Sequence, residues 1–162
     1  MQMEHPNLKR LHPSRRARRG QALVEFALVV GLLLALVMGI IDFSVFGKNS
    51  LAIANATREG ARAASIGRTT TQIRQRVKDF AAPLAVESPN GSVVIEVSTD
   101  KGASYSTLSD NTAGTENAAA PDSLVRVRVS SQNRSVTGAF GALFNRQMQT
   151  TVTMRRENTS GT

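Results

Sequence analysis

The chain has 162 residues, a formal net charge of +8 and no cysteine. That length holds one small domain of about 100 to 150 residues plus a short additional segment, and the missing thiols exclude disulfides and thiolate metal sites, so stability must come from packing. Lys9, Arg10, Arg15, Arg16, Arg18 and Arg19, set against Glu4, put +5 of the charge in residues 1–20 and leave +3 on the rest.

Residues 1–20, with Pro6 and Pro13 and no apolar periodicity, read as a flexible basic leader. Runs of Lys and Arg also occur in nucleic-acid binders. Here the basic run has no interleaved aromatics and abuts an apolar segment, so the positive-inside effect and anionic headgroups account for it without a nucleic acid.

Phe26 to Ile41 is an uninterrupted apolar run, with Glu25 just before it and Asp42 just after. At about 1.5 Å per residue the run covers roughly 24 Å, and from Ala22 to Phe46 the segment exceeds a bilayer core of about 30 Å. Its eleven Phe, Leu, Val and Ile residues contribute roughly −3 to −7 kcal/mol on the insertion scale, and both carboxylates lie at the ends, where water and headgroups are in reach. The segment is expected to insert. Six basic residues precede it and only Lys48 follows closely, which places the N-terminus in the cytoplasm and the remainder outside. A cleaved secretory signal fits less well, because the apolar stretch is long and no small-x-small site precedes a polar start at Ile41-Asp42-Phe43.

The helical pattern continues through Lys48 to Ile66, with Glu59 and Arg62 spaced as an i,i+3 pair and Gly67 as the C-cap. Unbroken, residues 21–66 would form a rod of roughly 69 Å, whose upper half stands outside the membrane. Thr69, Thr70 and Thr71 offer N-caps for a second helix carrying Ile73, Val77, Phe80 and Leu84 and ending near Pro83.

Val93, Ile95 and Val97 alternate with Val94, Glu96 and Ser98, and Val125, Val127 and Val129 alternate with Arg126, Arg128 and Ser130. Gln147 to Arg155 repeats the pattern through Met148, Thr150, Val152 and Met154. Each reads as a one-sided strand. Residues 100–122 favour loop, with a weak hairpin strand at Tyr105 and Thr107 after the Asp100-Lys101-Gly102 turn, and Gly138 to Phe144 reads as a short helix or turn. The expected fold is α+β: a leader (1–20), a transmembrane helix continuing as a stalk (21–66), and a small extracytoplasmic domain (67–162) with a helix packed on an antiparallel sheet of three or more strands.

Ala27, Gly31, Ala35 and Gly39 recur every fourth residue and make a small-residue stripe for lateral helix packing, against the background that Gly and Ala are common in membrane helices. Gly60, costly inside a helix by about 1 kcal/mol, is expected to pack against the second helix. Asp100, Asp110, Glu116 and Asp122 lack the spacing of a calcium loop and read as solvated. The histidines, His5 and His12, lie in the leader, and Gly138 and Gly141 have no phosphate-loop context. Catalysis, a metal, a cofactor and a small-molecule substrate therefore find no support in the chain.

Arg18-Arg19-Gly20-Gln21-Ala22-Leu23-Val24-Glu25-Phe26 resembles a type IV prepilin processing site, with a basic leader, a Gly, and a Glu five residues after it. Cleavage after Gly20 would free an α-amine on Gln21, and a neighbouring subunit's Glu25 would neutralise it in a low-dielectric helix bundle, where an unpaired charge is costly. Read together with Asn55-Ala56-Thr57-Arg58-Glu59-Gly60-Ala61-Arg62-Ala63-Ala64 and with Thr151 to Glu157, this start resembles the TadE-like family of Flp (Tad) pilus proteins. Gln21 departs from the aromatic or Met start common among type IV pilins, and residues 86–135 carry no matching motif.

The resemblance implies a pilin-like minor subunit, or pseudopilin, that is not an enzyme and acts in pilus assembly and surface adhesion. Its implied partners are a prepilin peptidase, other pilins or pseudopilins, Tad inner-membrane assembly proteins and the lipid bilayer. Its implied location is the bacterial inner membrane, single-pass, with access to the pilus. The competing reading is an uncleaved, membrane-anchored scaffold or binding module of a secretion envelope, in which Glu25 is incidental.

Overall fold

The computed structural model describes residues 15–158, with side chains from Gly20 on. Residues 1–14 of the leader predicted over 1–20 lie outside the described residues. Helix α1 spans Arg15–Ser65. It starts at Arg15 rather than at the predicted Gln21, since the Arg and Ala residues before Gly20 are themselves good helix formers.

The chain divides into two compact units, one through Met38 and one from Gly39. In the first, α1 exposes its apolar side chains, among them Leu23, Phe26, Leu28, Leu32 and Leu36. The second unit contains the rest of α1 together with all later elements.

Helix α1 ends in a Schellman motif. The Arg68 and Gly67 amides donate to Ala63 O and Ala64 O, with Gly67 at φ +90° as the αL residue that this closure requires. Helix α2, Thr70–Ala81, opens on a capping box in which Thr69 and Gln72 satisfy each other's backbone amides. Ile73, Val77 and Ala81 are its buried face, whereas Phe80 is 45 % exposed beneath the Arg76 guanidinium. Leu84 falls beyond the helix end. Leu84 nevertheless packs, half-buried, against the core from beyond the helix end, so Phe80 alone departs from the predicted apolar stripe.

Strands β1 (Gly91–Ser98), β2 (Ser106–Thr107), β3 (Leu124–Gln132) and β4 (Gln147–Arg155) form one antiparallel sheet in the order β2-β1-β3-β4. Three rows cross it on the inner face: Val93–Val129–Thr150, Ile95–Val127–Val152 and Val97–Val125–Met154. All three Val residues of β3 are fully buried, as expected of a central strand with one face in the core. On the outer face Glu96 pairs with Arg126 at 2.7 Å and Arg128 at 3.6 Å, and Arg126 lies over the Tyr105 ring. The hairpin to β2 turns through Lys101 and Gly102, both at positive φ. A four-residue helix α3, Gly141–Phe144, interrupts the β3–β4 connection.

Both long helices pack on the inner face. A Cβ on Gly60 would sit 3.4 Å from Val127 Cγ1 in the sheet and closer still to Val77 in α2. The Arg74 side chain reaches across from α2 to Val93 O at 2.6 Å.

Candidate functional site

The first candidate region is the N-terminal part of α1. Gly20, Gln21 and Glu25 are exposed on the helix, and no atom would lie within 4 Å of a Cβ on Gly20 or Gly31. The Gly20–Gln21 peptide lies inside α1. A peptidase would have to unwind it locally, a step that Gly20 favours through its poor helix propensity. Ala27, Gly31 and Ala35 are exposed as well. Gly39 differs from them: the Phe140 ring approaches to 3.4 Å of its Cβ position, within the second unit.

From Gly39 onward, one face of α1 carries a ladder of contacts at helical spacing. Phe140 covers Gly39, Asp42 holds the β3–β4 connection, and Phe46 meets Phe144 with ring centroids 5.9 Å apart. Asn49 donates to Asn133 at 2.7 Å, and Ser50 donates to the Met148 sulfur. Ile53, Ala56 and Thr57 are fully buried, and Gly60, Ala61 and Ala64 continue the same face. This 3–4 spacing is the signature of a helix buried along one stripe.

Asp42 departs from the solvated position expected at the end of the apolar run. It is instead 1 % exposed. Its Oδ1 accepts the Val136 and Thr137 amides at 2.9 and 3.0 Å, and its Oδ2 accepts the Ser135 and Thr137 hydroxyls at 2.7 Å each. Four donors satisfy the carboxylate without water. The available signal was periodic, since Asp42 lies three residues after Gly39 and four before Phe46 on the inward stripe.

The stretch Arg58 to Arg62 splits its duties. Gly60 is buried against α2 and the sheet and Ala61 is fully buried, while Arg58 and Arg62 face outward. Among the described residues Glu59 and Arg62 form no ion pair. Both border a groove of about 500 Å³ between α1 and α2, whose other basic residues are Arg68 and Arg76 and whose apolar floor is Ala63 and Ile66.

Charged groups close the far end of α1. Arg156, 5 % exposed, donates to Ser65 O at 3.0 Å and pairs with Glu116 at 3.2 Å. Asn117 donates to Ala64 O and, beyond the helix, to Arg68 O, so Asn117 and Arg156, both far along the chain, cap the last two carbonyls of α1. The carboxylates weighed for calcium are each engaged by protein. Asp100 accepts from Ser98 and Ser104, Asp110 from Thr70, and Asp122 pairs with Arg155. No group of three or more metal-ligating side chains occurs among the described residues.

A helix that exposes apolar side chains on all sides over the length of a bilayer, joined to a small α+β domain, defines a single-pass membrane protein. The family model described as TadE-like protein matches residues 20–62, from Gly20 to the outward Arg62. Over that segment, about a quarter of the chain, the sequence resembles the TadE-like family. No curated protein and no solved structure matches the chain.

Proposed function

We propose that the chain is a pseudopilin of a Tad (Flp) system. It is made as a precursor, held in the inner membrane by Phe26 to Ile41 with its N-terminus cytoplasmic, cleaved after Gly20 by a prepilin peptidase, and passed to other pilins during pilus assembly. The supporting observation is the exposure of the whole apolar segment with Glu25 at its start, within the stretch that matches the TadE-like model.

The physical logic is a transfer between two apolar solvents. In lipid the segment is stable because its side chains are greasy and its backbone is satisfied internally. In a filament the same side chains would be covered by neighbouring helices, with Ala27, Gly31 and Ala35 allowing close backbone approach. Cleavage creates the Gln21 amine, and a Glu25 from an adjacent subunit offsets the cost of burying it. Along one helix Gln21 and Glu25 differ by about 6 Å of rise, so pairing between subunits sets a definite axial stagger. Gly39 is engaged by Phe140 of its own domain and bounds the stripe.

Fractionation tests this reading. Sheared filaments and isolated inner membranes are probed for the chain and for its Glu25→Gln variant. The wild-type chain is expected in an assembly with other pilins, and the variant is expected to remain in the membrane fraction. Equal incorporation of both would remove the pairing step from the account.

A further inference from the structure

The connection between β3 and β4 does more than join strands. Residues 134–146 contain no carboxylate and carry Val136, Ala139, Phe140, Ala142 and Leu143 between Arg134 and Arg146. Asp42 binds one end of this connection through the four hydrogen bonds given above, and Gly39 and Phe46 receive Phe140 and Phe144. The connection is thereby fixed beside residues 39–46 of α1. Even so, Val136 remains 65 % and Leu143 58 % exposed. Ile40, Ile41 and Phe43, on the adjoining turns of the helix, are 58 %, 43 % and 67 % exposed.

These residues lie where the apolar run ends. Ala22 to Ile41 already covers about 30 Å of hydrocarbon, so Asp42 falls at its edge and the connection falls in the interfacial layer of roughly 5 to 7 Å. A carboxylate in that layer is costly unless its donors come from protein, and Asp42 receives all of its observed donors from the connection. Apolar side chains flanked by arginines, with no acidic residue among them, match the boundary between acyl chains and anionic headgroups.

Resting on the reading of Phe26 to Ile41 as a membrane span, we propose that residues 134–146 form a foot that seats the domain on the bilayer. Val136 and Leu143 enter the headgroup–acyl boundary of the leaflet from which α1 emerges, and Arg134 and Arg146 meet lipid phosphates. The occupant of this apolar patch is lipid, continuous with the lipid around the span, rather than a second protein.

The chain has no cysteine, so single-site labelling is direct. Full-length Val136→Cys, Leu143→Cys, Leu33→Cys and Thr151→Cys variants carry a polarity-sensitive fluorophore in vesicles of phosphatidylcholine and phosphatidylglycerol. The lipids bear quenchers either near the headgroup or deep in the chain. Labels at 136 and 143 are expected to be quenched by the shallow quencher at least about twofold more than the label at 151 on the outer sheet face, as interfacial insertion requires. The label at 33 is expected to respond to the deep quencher. If 33 is quenched while 136 and 143 behave like 151, the foot is overturned and the span stands. Blue-shifted emission at 136 and 143 without lipid quenching would mean a protein cover, and it also overturns the proposal. An unquenched label at 33 removes the span and the foot together.

Discussion

Gly60 and Val77 meet so closely that a Cβ on Gly60 would lie 2.5 Å from Val77 Cγ2. The contact locks α1 to α2 at the centre of the Arg-Glu-Gly-Ala-Arg stretch. It also gives that stretch a packing role, distinct from any pairing of its charges.

The Gly60→Ala variant is therefore expected to lose stability, although Ala is the better helix former. Overpacking costs about 1 to 3 kcal/mol and exceeds the gain in propensity of roughly 1 kcal/mol. Val77→Ala in the same chain should recover part of the loss, because the two sites are in contact. Thermal unfolding of the detergent-solubilised chain measures both effects, and a Gly60→Ala melting point at or above the wild type would contradict the packing argument.

Asp42→Asn replaces one carboxylate oxygen by an NH₂ group and removes the charge, so the two donors that faced that oxygen lose their acceptor and all four bonds lose their charge assistance. Such mismatches cost about 1 to 3 kcal/mol when buried. The loss should be local to the β3–β4 connection, so the Val136 and Thr137 amides are expected to exchange faster with deuterium while the Val125 and Val127 amides keep their protection. Unchanged exchange at 136 and 137 would show that Asp42 does not hold the connection.

Asp100 reports on the turn into β2. The Ser104 hydroxyl and amide and the Ser98 hydroxyl hold its carboxyl well below the usual aspartate range. A depressed folded-state value contributes stability that is present above the ordinary carboxylate pKa and lost as pH falls through the folded value. The Gly102 and Ser104 amide resonances are thus expected to stay native as pH drops from about 7 to about 4, and to move only at stronger acidity. A titration midpoint at the ordinary value would contradict the turn geometry.

Much of this fold was legible from local pattern. The alternation in 93–97, 125–129 and 147–155 reappears as three aligned rows across one sheet face. Gly67 and Thr69 mark a helix end and a helix start through their own backbone chemistry, and Gly60 signalled a close approach that proved to be to α2. What stayed hidden depends on partners distant in sequence. Asp42 and its donors are separated by 93 to 95 residues, and the bond from Arg156 to Ser65 spans 91. No window of ten or twenty residues contains both halves of such a contact. Phe80 departs from its periodic expectation for a different reason: Ala81 takes the buried position at that turn of α2, and the Phe80 ring lies under Arg76 at the surface. At the N-terminal site the residue types were readable, whereas the proposed pairing between subunits involves no contact within a single chain.

The central claim is that the working form of this protein begins at Gln21, with Glu25 ready to meet a new amine. Intact mass of the chain purified from its native membrane and from assembled filaments tests it most directly. The account predicts a mature species lacking residues 1–20, and a Gly20→Ala variant that retains them. A wild-type chain that still starts at Met1 in both fractions would contradict it and favour a permanent membrane anchor.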